Sequence, residues 1–260
     1  MSQSKGGRPD RSVVAPPECT GHPEPMKRRK SAKRVRQRDA DATRAKILEA
    51  ALAEFGSRGL PETRTDDIAA RCKVNKRMIY YYFGSKEGLY LAALESVYEE
   101  LVRLEREIEV EHLDPVAALE AMINLKIDYY IDNPHFISFL TMENLYKARN
   151  LRKSRKLETF KTPLTQVIAR ILQRGEREGL FRRNVDAVDL YISICALGFM
   201  YFANRHTLGA IFARDLMSAD AIDRRRQSII DMVIGYLKGA DAPALAPTPR
   251  RARTLEPLAL

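Results

Sequence analysis

Lys76, Arg77, Tyr80 and Tyr81 put two cations and two phenols within a six-residue stretch. Ammonium and guanidinium groups pair with phosphate oxygens and with the O6 and N7 acceptors of guanine, so this set suits a nucleic-acid surface. Little else in the chain has the spacing of a reaction centre. There is no glycine-rich phosphate loop, no nucleophile motif and no close pair of carboxylates or histidines, so no enzyme is expected. Cys19, Cys72 and Cys195 lack the close spacing of a disulfide frame or zinc site. His22, His112, His135 and His206 lie too far apart for a helical ligand pair, and neither metal nor cofactor is expected.

A pair of short helices must hold these groups. Thr65 is placed to cap the first, whose next residues, Asp66 and Asp67, complement the positive end of its dipole, and Ile68 and Cys72 share a face. The helix stops at Lys73 and Val74. Asn75 then caps a second helix over 76–83, in which Ile79 and Phe83 recur at i and i+4 and leave Lys76, Arg77, Tyr80 and Tyr81 for other faces. After Gly84, Ser85 is placed to cap a long helix from Lys86. That order is a helix-turn-helix DNA reader. Lys76, Arg77 and Tyr80 are expected in the groove, and Thr65, Tyr81 and Lys86 on phosphates.

The segments ILEAALAEFGSRGL, TDDIAARCKV and IYYYFGSKEGL, in that order and spacing, make the stretch from Thr43 to about Leu94 resemble the tetracycline-repressor (TetR) family of bacterial transcription regulators. The resemblance implies an all-α fold, with an N-terminal three-helix helix-turn-helix domain joined to a larger helical ligand-binding and dimerisation domain. It further implies a homodimer on palindromic double-stranded DNA, most often a repressor, released by a small-molecule effector. Two residues depart from the family pattern. Lys73 stands where the family commonly has a turn glycine, at a cost of roughly 1 kcal/mol if its backbone is left-handed. Asn75 replaces the more usual serine and caps as well.

Thr43 is expected to cap the first helix, where Ile47, Ala51 and Phe55 form one row, ending at Gly56 and Gly59. Beyond the reader, helices are expected at 86–110, 116–133, 135–147, 163–178, 188–207 and 219–238, the last capped by Ser218. The most apolar run, 190–203, falls short of the roughly 18 to 20 residues that span a bilayer and reads as a buried or interface helix. With no secretory pattern at the N-terminus, a cytoplasmic protein without a membrane partner is expected.

Residues 1–40 hold eleven Lys and Arg against four Asp and Glu, +7 of the net charge of +10. They form a basic arm expected to be disordered when free and suited to lie along DNA phosphates. Residues 41–88 are then the DNA-binding domain, 89–239 the effector-binding and dimerisation domain, and 240–260 a Pro-rich disordered tail. An alternative stays open: an architectural DNA-binding protein acting mainly through the arm.

Two sets of residues are assigned to the C-terminal domain. Ile222, Ile229, Val233 and Tyr236 make an apolar stripe expected at the dimer interface. Tyr129, Tyr130, Phe136, Phe139, Met142, Asn144, Tyr146, Phe199 and Asn204 offer an apolar wall with a few orienting polar groups, as an effector pocket needs.

Overall fold

The computed structural model describes residues 26–108 and 111–239, and side chains over 38–108, 111–160 and 165–239. The chain divides into two compact units, Met1–Thr43 and Arg44–Leu260. Helix α1 (Met26–Glu62) begins in the first. Part of the arm expected to be disordered is therefore helical: the Lys, Arg, Gln and Ala of MKRRKSAKRVRQR are good helix formers, which a reading by charge alone overlooks. Residues 1–25, with Cys19 and His22, and the expected tail 240–260 lie outside the described residues. Thr43 is not a cap. Its hydroxyl donates to the Asp39 carbonyl at 2.8 Å, the back-bond of a threonine within a helix.

The second unit continues α1 and adds α2 (Thr65–Cys72), α3 (Lys76–Phe83), α4 (Lys86–Glu107), α5 (Pro115–Asp132), α6 (Pro134–Leu145), α7 (Leu157–Arg177), α8 (Ala187–Ala203), α9 (Arg205–Phe212) and α10 (Ala219–Lys238). A single 3₁₀ turn, Leu151–Lys153, precedes α7, and there is no strand among the described residues. Side-chain caps start several helices: Asn75 accepts from the Arg77 amide at 2.9 Å and Ser85 from Gly88, as the sequence places them, while Asp114 accepts from Val116 and Ala117, and Asp186 from Val188 and Asp189, at two further starts. Ser218 holds the cap position of α10 but donates to the Asp215 carbonyl instead.

Two helices differ from expectation. α7 starts at Leu157, so Pro163 lies inside it rather than at its head. The helix expected over 188–207 breaks at Asn204, whose amide side chain donates to the Met200 carbonyl, and the axes of α8 and α9 meet at 67°. No single helix among the described residues is long and apolar enough to cross a membrane.

The apolar faces meet in two clusters. The smaller joins Ile47, Ala51 and Phe55 of α1 to Ile68 of α2, Ile79 of α3, and Leu89, Tyr90 and Leu94 of α4. The larger surrounds α5, which packs against α4, α6, α7, α8 and α10. α6 contributes to both: Phe136 and Ile137 enter the larger cluster, and Phe139 enters the smaller, where its ring lies 5.1 Å from that of Tyr90.

Candidate nucleic-acid interface and a buried polar cluster

α3 is seated by Ile79, fully buried, with Met78, Tyr82 and Phe83 packed on the same cluster. Burying that side leaves Lys76, Arg77, Tyr80 and Tyr81 exposed together, Tyr81 at 77 %. An exposed tyrosine on a well-seated helix keeps a large apolar body in water, which is the arrangement of a contact surface. The turn before α3 is made by Lys73, at φ 54° and ψ 39°, the left-handed conformation that a glycine would adopt without strain.

Acids hold the cations in place. Glu54 of α1, itself buried, accepts from Arg71 of α2 at 3.1 Å, and Arg58 reaches Asp67 at 3.0 Å. The Lys76 amine donates to Asp66 at 2.8 Å, and that hydrogen bond lowers the Asp66 pKa and raises that of Lys76. Sequence reasoning gives Asp66 only a part in the helix dipole and misses it as a partner of the reading face. Its ten-residue separation from Lys76 gives no local signal.

Thr65 departs from its expected part. Arg64 is the cap residue of α2 and its side chain makes no capping bond; Thr65 is the first helical residue, 7 % exposed, with its hydroxyl 3.4 Å from that of Tyr80. Thr65 thus braces the recognition helix from beneath. Lys86 is half-buried and donates to the Pro61 carbonyl at 3.2 Å.

The nine residues expected to form an effector pocket do not converge. Tyr129, Tyr130 and Phe136 are buried in the larger cluster, with Tyr130 and Phe136 stacked at 5.9 Å and the Tyr129 hydroxyl donating to the Val97 carbonyl at 2.6 Å. Phe199 packs half-buried against the same cluster. Phe139 belongs to the other cluster, and Met142 lies over Gly59, which has φ +73°. Asn144, Tyr146 and Asn204 are exposed, because the ends of α6 and α8 face outward. Neither the surface cleft of about 550 Å³ between α7 and α8 nor that of about 490 Å³ beside α10 is lined by any of the nine.

The residues expected at a dimer interface are also redistributed. Ile229 and Val233 are 1 % and 4 % exposed in the chain's own core, and Ile222 packs against it, because α10 turns that stripe onto α5 and α8. Of the four, Tyr236 alone is exposed. The outward large apolar residues of these two helices are instead Met232 and Tyr236 on α10 and Val188, Ile192 and Met200 on α8, the last three at multiples of four.

Inside the larger cluster lies a polar group that the sequence reading did not single out. Lys126 of α5 and Glu105 of α4, 3 % and 1 % exposed at their side chains, form a direct ion pair through Glu105 Oε1. Lys126 Nζ also donates to the Tyr191 hydroxyl at 2.9 Å, and lies 4.1 Å from the centre of that ring. Glu105 Oε2 is buried with no hydrogen-bond partner among the described residues. Burial works against the Lys126 charge, but Cys195, Glu105 and Tyr130 outweigh it and the net shift is upward. Burial also raises the Tyr191 and Tyr130 phenols, which stay protonated. The one sequence signal is a lysine in the largely apolar run AMINLKI.

Comparison with known proteins accounts for both halves. Residues 47–93 match the bacterial regulatory proteins of the tetR family, and residues 115–233 match the tetracyclin repressor-like C-terminal domain. The HTH-type transcriptional repressor NicS of Pseudomonas putida is 37 % identical over 187 residues, 72 % of this chain and 88 % of NicS. The HTH-type transcriptional repressor SCO4008 of Streptomyces coelicolor is 30 % identical over 162 residues, 62 % of this chain and 78 % of that protein. Among solved structures, the putative transcriptional regulator SCO4942 from Streptomyces coelicolor superposes with a TM-score of 0.57 at 24 % identity, covering 75 % of this chain and 98 % of its own, a likeness of fold. The helix-turn-helix, the all-helical domain after it and these relatives lead to one conclusion: the chain belongs to the tetracycline-repressor (TetR) family, DNA-binding regulators of transcription rather than enzymes.

Proposed function

We propose that the protein is a homodimeric repressor that binds a palindromic operator through α3 and leaves it when a small-molecule effector occupies the C-terminal helices. The observation that carries this reading is the exposed set Lys76, Arg77, Tyr80 and Tyr81 on a helix whose opposite side is locked into a core. Within it, Lys76, Arg77 and Tyr80 are assigned to the groove, and Tyr81 and Lys86 to phosphates. Thr65 keeps its assigned phosphate contact only through its backbone amide, since its hydroxyl faces Tyr80.

The apolar residues Val188, Ile192, Met200, Met232 and Tyr236 support pairing of α8 and α10 with the same helices of a second copy, a twofold arrangement that presents two reading helices to two half-sites. The names of NicS and SCO4008 as repressors support the direction of control.

The test is binding of the full chain to duplex from upstream of its own gene, against excess unrelated duplex at moderate salt, with the mass of the complex measured. Preferential binding of two protomers to one palindromic site is the expected result. The +7 charge of residues 1–40 favours a second reading, an architectural binder, which predicts equal binding to all duplexes.

A further inference from the structure

The Lys126–Glu105–Tyr191 cluster sits in the helical domain to which the proposed function assigns the effector, and its role as a ligand site rests on that reading. Glu105 Oε2 is enclosed without a donor among the described residues, although every other polar atom of the pair is engaged in the structure's own contacts. A carboxylate oxygen left this way calls for an N–H or O–H group. Replacing a buried ion pair by apolar side chains is frequently neutral or stabilising, so stability alone does not account for it.

The residues around the cluster define what complements it. The charges of Glu105 and Lys126 cancel, so an anionic ligand meets the unpartnered carboxylate oxygen with nothing left over to neutralise it, and an uncharged one leaves the balance intact. Tyr191 is only half-buried, and its hydroxyl takes an N–H of Lys126 while standing 3.4 Å from Glu105 Oε1. A ligand acceptor can replace that phenol on Lys126. Tyr130, stacked on Phe136 and edge-on to Phe202 at 5.8 Å, gives an aromatic surface against α8. Its approach to α8 depends on Gly198, where an added Cβ would lie 2.9 Å from the Tyr130 ring.

We propose that Glu105, Lys126 and Tyr191 form the polar end of the effector site, and that it takes an uncharged aromatic molecule bearing a hydrogen-bond acceptor beside an N–H or O–H donor, as a primary aromatic amide does. The acceptor takes the Lys126 N–H now given to Tyr191, and the donor satisfies Glu105 Oε2. Tyr191 is the internal stand-in that the ligand displaces.

Benzamide is the probe, with acetophenone, the same shape without the N–H, and benzoate, its anionic counterpart, as controls. Binding to the full chain is measured by titration calorimetry, and operator binding of the same preparation by fluorescence anisotropy. Saturable benzamide binding is expected, at least about tenfold tighter than acetophenone or benzoate. Tyr191→Phe, which keeps the ring and removes the competing hydroxyl, should tighten benzamide, whereas Glu105→Gln should erase its advantage over acetophenone. Tyr191→Phe preserves the packing, so it remains informative if Glu105→Gln fails to fold. Equal binding of benzamide and acetophenone, no tightening by Tyr191→Phe, or no benzamide binding by protein that binds its operator would each overturn the inference and leave the repressor reading standing. Absence of operator binding would instead remove the repressor reading on which the inference rests.

Discussion

The Lys76 ammonium of α3 lies 2.8 Å from the Asp66 carboxylate of α2, so a cation of the reading face is tied to an acid beneath it in the free protein. Both groups are exposed, and such a pair adds little to stability. With Lys76 in the groove, as proposed, it must be shared with, or released from, Asp66 when a phosphate or base approaches. Asp66→Asn should therefore strengthen binding to all duplexes severalfold and steepen the salt dependence, with the melting temperature nearly unchanged. Unchanged or weaker binding in anisotropy titrations at two salt concentrations would refute this.

Arg77 and Lys86 test the proposed division between base and phosphate contacts. Arg77 is exposed on α3 with no ion pair among the described residues, while Lys86 is half-buried against the Pro61 carbonyl at the start of α4. Arg77→Ala should relax sequence preference at one operator position, at a cost of about 1–3 kcal/mol. Lys86→Ala should weaken all duplexes alike and reduce the salt slope by about one. Competition titrations with operator variants check the division, and equal effects from both substitutions would remove it.

Lys73 is strained where it stands. At φ 54° its Cβ crowds the following carbonyl, and Lys73→Gly should raise unfolding free energy by up to about 1 kcal/mol, less whatever glycine's freedom in the unfolded chain takes back. Urea denaturation at fixed protein concentration measures the difference. Because Lys73 is also an exposed cation beside α3, the more stable variant should bind DNA less tightly.

His135 makes stability depend on pH. Burial, aided by the positive charge of Arg71, lowers its pKa from 6.5, and its ring packs on Gly56. The unfolded chain thus takes up this proton first as pH falls. The stability contribution is full above about 6.5 and is lost as the pH drops through the folded-state value. Melting temperature should fall between about pH 7 and pH 5.5, and His135→Gln should flatten that part of the profile. An identical profile in the variant would assign the loss to other groups.

Lys126 and Glu105 should be strongly coupled. Lys126→Met leaves a buried carboxylate without its counter-charge and should cost about 3–5 kcal/mol, whereas Lys126→Met with Glu105→Leu should recover most of that loss. Denaturant midpoints of the two variants, taken at one protomer concentration, decide it. Additive losses would mean that the pair is held by its surroundings and not by each partner.

The reader was legible because its signals are local. Asn75 and Ser85 cap within two or three residues of themselves, and Ile79 declares the buried face of α3 by its spacing. Thr65 was misread because a threonine before two aspartates has the pattern of a cap, while the structure gives that place to Arg64 and turns the hydroxyl to Tyr80, fifteen residues on. In the helical domain, periodicity identified apolar faces but not which neighbour covers them. Ile229 and Val233 looked unpartnered in a stripe and are covered by the chain's own helices. Aromatic residues drew attention as a pocket, whereas the unusual chemistry lay in one lysine and one glutamate on separate helices, 21 residues apart.

α6 gives Phe136 and Ile137 to one core and Phe139 to the other, sets His135 against Gly56 of α1 and lays Met142 over Gly59. The boundary near residue 88 that divides the chain by sequence is therefore not where its parts come apart. A chimera that grafts the reader of this protein onto the helical domain of a relative will inherit a foreign surface beneath α1 and α4. To stay folded it must carry Pro134–Leu145 along with the head, so the transplantable unit is discontinuous in the gene.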